Sequence, residues 1–302
     1  MNGNKARSAS TDVPCRRGWP EGPGVEEAHS LSLIAQGRLP LLFPAAAVWR
    51  AKLLLLKMRT FKIIMEYDGS AYCGWQRQPN GISIQQVLEG AVARITGEDV
   101  SVIASGRTDA GVHALGQAAS FRAQTNLPVH KLFAGINSVL PPDIALRDIK
   151  EAPAGFNALK DAKGKIYLYR IKNQRLRPVL GRQYFWHVRC RLDLNKIREG
   201  ASFLAGEHDF SAFCATGCDV RSRVRTLEPI DIRECPENLL EITVESGGFL
   251  RHMVRNIVGT LVDTGRGKIK PEEIPEILAS GDRRKAGMAA PACGLFLKEV
   301  KY

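Results

Sequence analysis

The sequence predicts a mixed α/β (α+β) fold of two ferredoxin-like, or RRM-like, halves whose antiparallel sheets join around a central cleft. Residues 60–150 show the order β, α, β, β, α, β, which is the split β-α-β pattern of ferredoxin-like domains. Residues 165–300 repeat this order loosely. Two halves of similar order predict two sheets joined edge to edge, with a cleft between the halves.

The elements of the first half follow from hydrophobic period and turn residues. Residues 60–67 form an apolar run that ends at the turn sequence Asp68-Gly69-Ser70, which predicts the first strand. Ser83 is a suitable N-cap for a helix whose apolar side chains share one face. The remaining predicted elements are strands at 100–104, 117–121 and 144–150 and a helix at 129–140.

The second half begins with a strand of clear period two. Residues 165–173 alternate so that Tyr167 and Tyr169 share one face. A helix is predicted to begin at Asp193. The predicted elements are helices at 193–205, 249–264 and 271–279 and strands at 183–188, 225–233, 238–246 and 294–300.

Residues 1–57 differ from the rest of the chain because they show no helical or strand period. Their apolar part is interrupted by Pro44, Arg50 and Lys52 and is shorter than the ~20 residues that span a bilayer, so no membrane segment is predicted. A transit peptide is one alternative. We expect instead a disordered extension or a start assigned too far upstream, since Met58 directly precedes the first strand. The expected division is therefore 1–57, 58–160 and 161–302.

Composition indicates the class of partner. The chain has 302 residues, of which 44% are hydrophobic and 25% charged, as in ordinary globular proteins. Its formal net charge is +12, from 43 Lys+Arg against 31 Asp+Glu. Such an excess favours a polyanionic partner through phosphate neutralisation. Charge alone does not distinguish RNA from DNA or from an anionic membrane.

The cysteines indicate a reducing compartment. Seven cysteines form an odd and scattered set, which is typical of reduced thiols in a cytoplasmic protein rather than of a disulfide framework. Cys214 and Cys218, with His208 nearby, raise the possibility of a metal. A structural zinc site usually draws on a second closely spaced pair, and the sequence has none, so we expect no metal.

The stretch 105–117 is the first candidate for a functional site. It has the sequence SGRTDAGVHALGQ and follows an apolar run, and its three glycines permit turns and close approach to the backbone. Arg107 lies two residues from Asp109 and is expected to hold that carboxyl in its ionised form. An ionised Asp109 suits a nucleophile, a base or a charge stabiliser. The alternative is a structural Asp that stabilises a turn.

The predicted helix at 249–264 has two distinct faces. Its polar residues fall on one arc and its apolar residues on the other, so that one face could pack and the other line the cleft. The alternative is a solvated basic face. The polar arc consists of Arg251, His252, Arg255 and Asn256.

Residues 72–80 mix aromatic and basic side chains. Tyr72 and Trp75 lie in this loop close to Arg77. Such groups can stack on bases and hold phosphates. They can equally be hydrophobic plugs, which is the commoner role of aromatic residues in loops.

Several of these segments together resemble the tRNA pseudouridine synthase A (TruA) family. GRTDAGVHALGQ at 106–117 closely resembles the active-site loop of that family. The resemblance extends from about residue 58 to residue 302. The other segments, in order, are YDGS at 67–70, GWQ at 74–76, FNA at 156–158, YLY at 167–169, HMVRN at 252–256 and GLFL at 294–297.

The resemblance implies an isomerase that converts uridine to pseudouridine at positions 38, 39 and 40 in the anticodon stem-loop of tRNA, as a cytoplasmic homodimer without a cofactor. Asp109 would be the essential carboxylate, which attacks C1′ or removes the C2′ proton. Tyr167 would stack on the target base and assist proton removal from C5. Arg107 and Arg255 would keep Asp109 ionised and help to hold the flipped nucleotide. From the net charge and the polar arc of the predicted helix, Arg251 and His252 are also expected to contact RNA.

Two other functions stay open on the sequence alone. A non-catalytic RNA-binding protein with RRM-like halves would suit the charge and the aromatic residues, although the RNP1 pattern is absent. A nucleoside or glycan hydrolase would normally use a pair of carboxylates, and the Asp109 loop contains no second acid. Neither a P-loop nor a nucleophile elbow is present.

Overall fold

The computed structural model describes residues 57–302 except 216, 218 and 219. The expectation for residues 1–57 therefore falls, apart from Lys57, outside the described part of the chain. The strands are β1 (Met58–Tyr67), β2 (Ile103–Ala104), β3 (His113–Gln124), β4 (Ile144–Ala152), β5 (Gly164–Asn173), β6 (Trp186–Val188), β7 (Gly206–Asp209), β8 (Val224–Leu227), β9 (Asp231–Cys235), β10 (Leu239–Ser246) and β11 (Leu295–Lys301). The α-helices are α1 (Ile84–Thr96), α2 (Val129–Val139), α3 (Leu194–Ser202), α4 (Met253–Gly265) and α5 (Ile274–Ser280). Short 3₁₀ turns occupy Gly69–Ala71, Arg182–Tyr184, Ser211–Phe213, Pro271–Glu273 and Ala292–Gly294.

One 11-stranded sheet runs through the described chain in the order β4-β1-β3-β11-β5-β10-β8-β7. In the first half, β1 lies between β4 and β3 and is antiparallel to both. In the second half, β5 lies between β11 and β10 and is again antiparallel to both. The predicted fold class, a mixed α/β fold with joined antiparallel sheets, is confirmed.

The two halves meet where β11 joins β3. This junction is parallel and short, with Phe296 opposite His113 and Leu297 opposite Ala114. The same edge of β3 also pairs with β2, but further along, at Ala119 and Ser120. Because two strands share this edge, the loop between β2 and β3 lies close to the line where the halves meet.

Local signals explain the helix starts. The Ser83 side chain accepts a hydrogen bond from the Gln86 amide, 3.3 Å away, and caps α1 as predicted. Asp193 caps α3 in the same way, through the amides of Asn195 and Lys196. Alternate residues of β1, from Phe61 to Tyr67, are buried, which fits a strand covered by helices on one face.

Several predicted boundaries were wrong. The helix predicted at 249–264 begins only at Met253, because His252 has a left-handed backbone with φ of 60° that interrupts an α-helix. The strand predicted at 225–233 is two strands, β8 and β9. The strand predicted at 117–121 begins earlier, at His113, because this part of the glycine-rich stretch pairs with β11.

The core is continuous through both halves. It contains large side chains without exposed surface, such as Phe61, Tyr169, Phe210 and Phe213. Helix α4 is almost wholly buried within it. No helix in the described part of the chain has the length and apolar character that a membrane span requires.

Candidate active site

Asp109 lies in the loop between β2 and β3, and hydrogen bonds to β3 hold the first residues of this loop. The Ser105 amide donates to the carbonyl of Ala118, 2.8 Å away. The Gln117 side chain accepts from the Ser105 hydroxyl and donates to the Gly106 carbonyl, at 2.8 and 2.9 Å. Gln117 and Ser105 are both buried, so these bonds fix the loop against β3.

The residue before Asp109 is anchored from the other side. Thr108 is buried, and its hydroxyl is 2.8 Å from that of Tyr67 at the end of β1. Its carbonyl accepts from the Trp75 amide at 3.0 Å. Burial raises the pKa of Tyr67 to about 12, so this phenol stays neutral at physiological pH. The Asp109 side chain, by contrast, is 36% exposed.

Two glycines let the segment after β1 pack directly on the loop. A Cβ atom at Gly69 would lie 2.0 Å from the Val112 carbonyl oxygen. Gly74 has a φ of +91°, and a Cβ there would lie 2.7 Å from the Thr108 carbonyl oxygen. Only glycine permits this backbone contact at both positions. The turn after β1 therefore helps to set the position of Asp109.

The Asp109 side chain faces a cleft of about 890 Å³. The cleft is bounded by the Asp109 loop, the start of β5 and the segment that leads into α4. Asp109 is the one carboxylate among its described lining residues, and the cations that line it are Arg107, Lys165, Arg251 and Arg255. The cleft is therefore suited to an anionic ligand.

Helix α4 and the residue just before it bring two basic side chains to Asp109. The Arg255 Nη1 atom is 3.8 Å from Asp109 Oδ2, and the His252 Nε2 atom is 3.4 Å from the same oxygen. Arg255 is held in place because its Nε donates to the Ala290 carbonyl at 2.7 Å. Within the described residues, the Asp109 carboxylate accepts no side-chain hydrogen bond, so its oxygens remain available to a substrate.

His252 has a strained backbone, and the pKa of its side chain is lowered. Its φ of 60° is uncommon for a residue other than glycine. Burial lowers the pKa of the His252 ring, against the opposite effect of Asp109 and with further lowering by Arg255. The ring is therefore neutral at physiological pH and contacts Asp109 as a polar group rather than as a cation.

Tyr167 lies on β5 and lines the same cleft. Its ring packs edge-on against that of Phe249, with centroids 5.0 Å apart. Burial raises the pKa of Tyr167, and the negative charge of Asp109 raises it further. The side chain is therefore a neutral phenol close to Asp109. Tyr169, on the same face of the strand, instead donates to the Pro291 carbonyl at 2.7 Å.

The structure places the other predicted site residues differently. Arg107 is exposed and lines the cleft, and no ion pair joins it to Asp109 among the residues described. The expectation that Arg107 helps to keep Asp109 ionised therefore stays a prediction. Arg251 lines the cleft from the segment before α4.

The predicted polar arc of α4 is not one surface. Asn256 is buried, donates to the Phe213 carbonyl at 2.7 Å and accepts from Arg283 at 2.9 Å. Asn256 is therefore structural. Arg251 and His252 precede the helix, so only Arg255 of the four lies on α4 and faces the cleft.

The aromatic side chains of the loop at 72–80 are packed into the core and are not exposed for stacking on bases. Trp75 is 3% exposed, and the Tyr72 hydroxyl donates to Asp143 at 2.7 Å. Sequence reasoning missed Tyr67, Lys165, Phe249 and Leu295 as parts of the site. Leu295 lies in the GLFL segment, which was a signal for its presence.

This arrangement can place a reactive carboxylate next to a neutral phenol in a basic cleft. No three His, Cys, Asp or Glu side chains of the described chain cluster as they would around a metal ion. The metal once considered at Cys214 and Cys218 depends on Cys218, which lies outside the described residues.

Comparisons with known proteins agree with the resemblance seen in the sequence. A family model described as tRNA pseudouridine synthase matches residues 63–158 and 201–302. The chain is similar to curated proteins named tRNA pseudouridine synthase A from Geotalea daltonii, at 48% identity, and from Geobacter sulfurreducens, at 47%. The protein of that name from Thermoanaerobacter pseudethanolicus is 45% identical. Each alignment spans 245 residues, which is 81% of this chain and 100% of the relative.

Proposed function

Since the chain belongs to the tRNA pseudouridine synthase family, we propose that it isomerises uridine to pseudouridine in tRNA, at positions 38, 39 and 40 of the anticodon stem-loop. The observation that carries this proposal is the position of Asp109. It is a partly exposed carboxylate on a loop anchored at both ends, with Arg255 and His252 beside it.

The reaction exchanges one bond to the ribose for another. The bond between N1 of uracil and C1′ breaks, the uracil turns within the cleft, and C5 bonds to C1′. The proton on C5 is lost and N1 gains one, so the reaction needs no oxidant or reductant. Asp109 serves as the nucleophile at C1′ or as the base at C2′, and an ionised carboxylate suits both steps.

Neighbouring side chains have separate roles in this proposal. Arg255 fixes and electrostatically supports the Asp109 carboxylate, and its own position is set by Ala290. Tyr167 stacks on the base and, as a neutral phenol, donates or relays a proton. Arg107, Arg251 and His252 contact the RNA around the flipped nucleotide.

The side chains that line the cleft argue against hydrolysis of the glycosidic bond. Hydrolysis of a glycosidic bond normally uses two carboxylates, one as acid and one as base or nucleophile. Asp109 is alone as a carboxylate among the described lining residues. The released uracil is therefore expected to recombine with the ribose before water attacks.

We also propose that the protein acts in the cytoplasm as a homodimer and that residues 58–160 and 161–302 are its two halves. The thiols of Cys73, Cys190, Cys235 and Cys293 form no disulfide, which favours a reducing compartment. Light scattering of the purified protein tests the dimer.

The direct test uses unmodified tRNA transcripts. After incubation with the protein, the RNA is digested and its nucleosides are quantified. Pseudouridine should appear without free uracil, and it should disappear from a transcript in which cytidine replaces uridine at positions 38 to 40. Free uracil would indicate a hydrolase, and unchanged uridine would indicate a protein that only binds RNA.

A further inference from the structure

A second basic groove lies away from Asp109, at the other end of β5 from the cleft. It has a volume of about 1040 Å³ and is lined by the end of β5, the segment between β6 and α3, and the start of α3. Its four arginines are Arg175, Arg189, Arg191 and Arg198. The proposed function assigns no role to this groove.

Most of this charge is not neutralised by the protein. Arg198 pairs with Glu234 at 3.2 Å, and Asp193 is engaged by the amides at the start of α3. Within the described residues, no hydrogen bond or ion pair involves the guanidinium groups of Arg175, Arg189 and Arg191. Three unpaired guanidinium groups in one groove repel one another, so an anion bound there is stabilised.

The segment that carries two of these arginines is held in a fixed form. The Asn173 side chain donates to the carbonyls of Val188 and Cys190, at 2.9 and 2.6 Å, and accepts from the Leu192 amide at 3.1 Å. Arg189 and Arg191 alternate with these three residues along the chain. Both arginines line the groove, one on each side of a bend at Cys190. Because these hydrogen bonds already fix the backbone of the segment, a ligand that binds both arginines does not have to order it.

The distance from the cleft can be measured along two elements. Helix α4 has Arg255 at the cleft and Gly265 at the groove, and ten residues of helix extend ~15 Å. Strand β5 has Tyr167 at the cleft and Asn173 at the groove, and six residues of strand extend ~20 Å. A ligand that reaches both sites must therefore extend over at least ~15 Å, which suits a polynucleotide.

We propose that this groove binds the phosphodiester backbone of the substrate RNA, outside the target nucleotide. The inference rests on the proposed function, because it takes RNA as the ligand of the cleft. Arginine forks match phosphate oxygens in pairs, and an open groove fits a continuous strand better than a small anion. The groove anchors the RNA while the cleft acts on one uridine.

The test compares two double variants that lose the same charge. Arg189→Gln with Arg191→Gln removes two guanidinium groups from the groove. Arg94→Gln with Arg122→Gln is the control, since both residues are exposed, line neither cavity and make no ion pair within the described chain. Binding of fluorescein-labelled, unmodified tRNA is followed by anisotropy over a range of salt concentrations. Single-turnover pseudouridine formation is measured at saturating protein.

The groove variant should bind tRNA about tenfold more weakly than the control variant. Its slope of log K against log salt should be smaller by ~1.4 to 1.8, at ~0.7 to 0.9 per lost phosphate contact. Its single-turnover rate at saturation should stay within twofold of wild type. Equal affinity and equal slope in the two variants would overturn the proposal. A change in oligomeric state in the groove variant alone would also overturn it, because the groove would then be a protein interface.

The assignment of the groove and the proposed function can fail independently in these experiments. If the wild-type protein forms no pseudouridine, the function fails whatever the groove binds. If the wild type is active and the groove variant binds tRNA like the control, only the groove assignment fails.

Discussion

Asp109 meets two requirements that usually conflict in a folded protein. A carboxylate must be accessible to react, and it must also be held in position. The side chain is 36% exposed, and its nearest basic atoms lie at 3.4 and 3.8 Å. The Arg255 charge attracts the carboxylate across the cleft and the neutral His252 ring contacts it as a polar group, but the carboxylate oxygens are not engaged in short hydrogen bonds. The backbone on either side supplies the rigidity.

Tyr167 tests what a neutral phenol contributes. Tyr167→Phe keeps the ring and its edge contact with Phe249 but removes the hydroxyl. We expect near-normal tRNA affinity and a turnover at least tenfold lower, whereas Tyr167→Ala should also weaken binding by ~1–3 kcal/mol through loss of a base stack. Affinity and kcat are measured separately.

The matched control is Tyr169→Phe, on the same strand. Its hydroxyl bonds to Pro291 outside the cleft, so this variant should lose ~1 kcal/mol of stability and keep its turnover. Wild-type turnover in Tyr167→Phe would reduce Tyr167 to a stacking surface.

At the scale of elements, the start of α4 and the turn after β1 set the geometry of the site. Helix α4 is buried on nearly all sides, so its first turn cannot shift without disturbing the core. The chain enters it through a left-handed residue, His252, which is placed beside Asp109. Strain of this kind is retained where the surrounding structure enforces it, often at functional sites.

Two substitutions at His252 separate the effect of its left-handed backbone from the effect of its side-chain contact with Asp109. Asparagine adopts a left-handed backbone more readily than alanine, so His252→Asn should be more stable than His252→Ala by ~0.5–1 kcal/mol. Both variants lose the ring that contacts Asp109, and both should bind tRNA more weakly than wild type. Urea unfolding and tRNA binding give the two quantities. Equal stability of the variants would show that the backbone strain is small, and unchanged binding would remove His252 from the RNA contact.

Gly69 tests whether the turn after β1 holds the Asp109 loop. Gly69→Ala places a Cβ atom against the Val112 carbonyl, so the two segments must separate. We expect a loss of ~1–3 kcal/mol in unfolding free energy, together with a large loss of turnover. Gly155→Ala is the control, because no atom lies within 4 Å of a Cβ there. Normal turnover in Gly69→Ala would mean that the loop tolerates displacement.

Local signals predicted more of the fold than of the site. The caps at Ser83 and Asp193 and the strand β5 depend on neighbouring residues, and each is confirmed. The start of α4 could not be predicted in this way, because the apolar period continues through His252 while tertiary packing imposes its left-handed backbone. The contact between Asp109 and Arg255 joins residues far apart in the chain, and only the family resemblance indicated it.

At the scale of the whole molecule, one sheet carries two separate basic surfaces. The parallel pairing of β11 with β3 joins the halves and brings the Asp109 loop next to α4. Cationic side chains outnumber carboxylates in both places, with four cations and one carboxylate lining the cleft and four cations and two carboxylates lining the groove. The buried tyrosines beside the cleft, Tyr67 and Tyr167, also affect the stability of the whole protein at high pH.

Buried tyrosines should make the protein sensitive to alkali. Burial raises the pKa of Tyr67 from 10 to about 12, and burial also raises the pKa of Tyr167. Above pH 10 the unfolded chain loses these protons before the folded chain does, so stability should be unaffected by them below pH 10 and should fall as pH rises towards 12. Urea unfolding at pH 9, 10 and 11 measures the slope, which should be shallower in Tyr67→Phe. Identical slopes in the two proteins would contradict the burial of a neutral phenol at this position.

Substitution of Asp109 by Asn tests the central claim most directly. Asn keeps the size of the side chain and supports the same turn, but it cannot attack a carbon or take a proton as a carboxylate does. The measurement is pseudouridine formed in unmodified tRNA, with thermal stability and tRNA affinity as controls. We predict no detectable pseudouridine while both controls stay near wild type. Turnover within tenfold of wild type, a difference of only ~1.4 kcal/mol in the barrier, would contradict the assignment of Asp109 as the catalytic group.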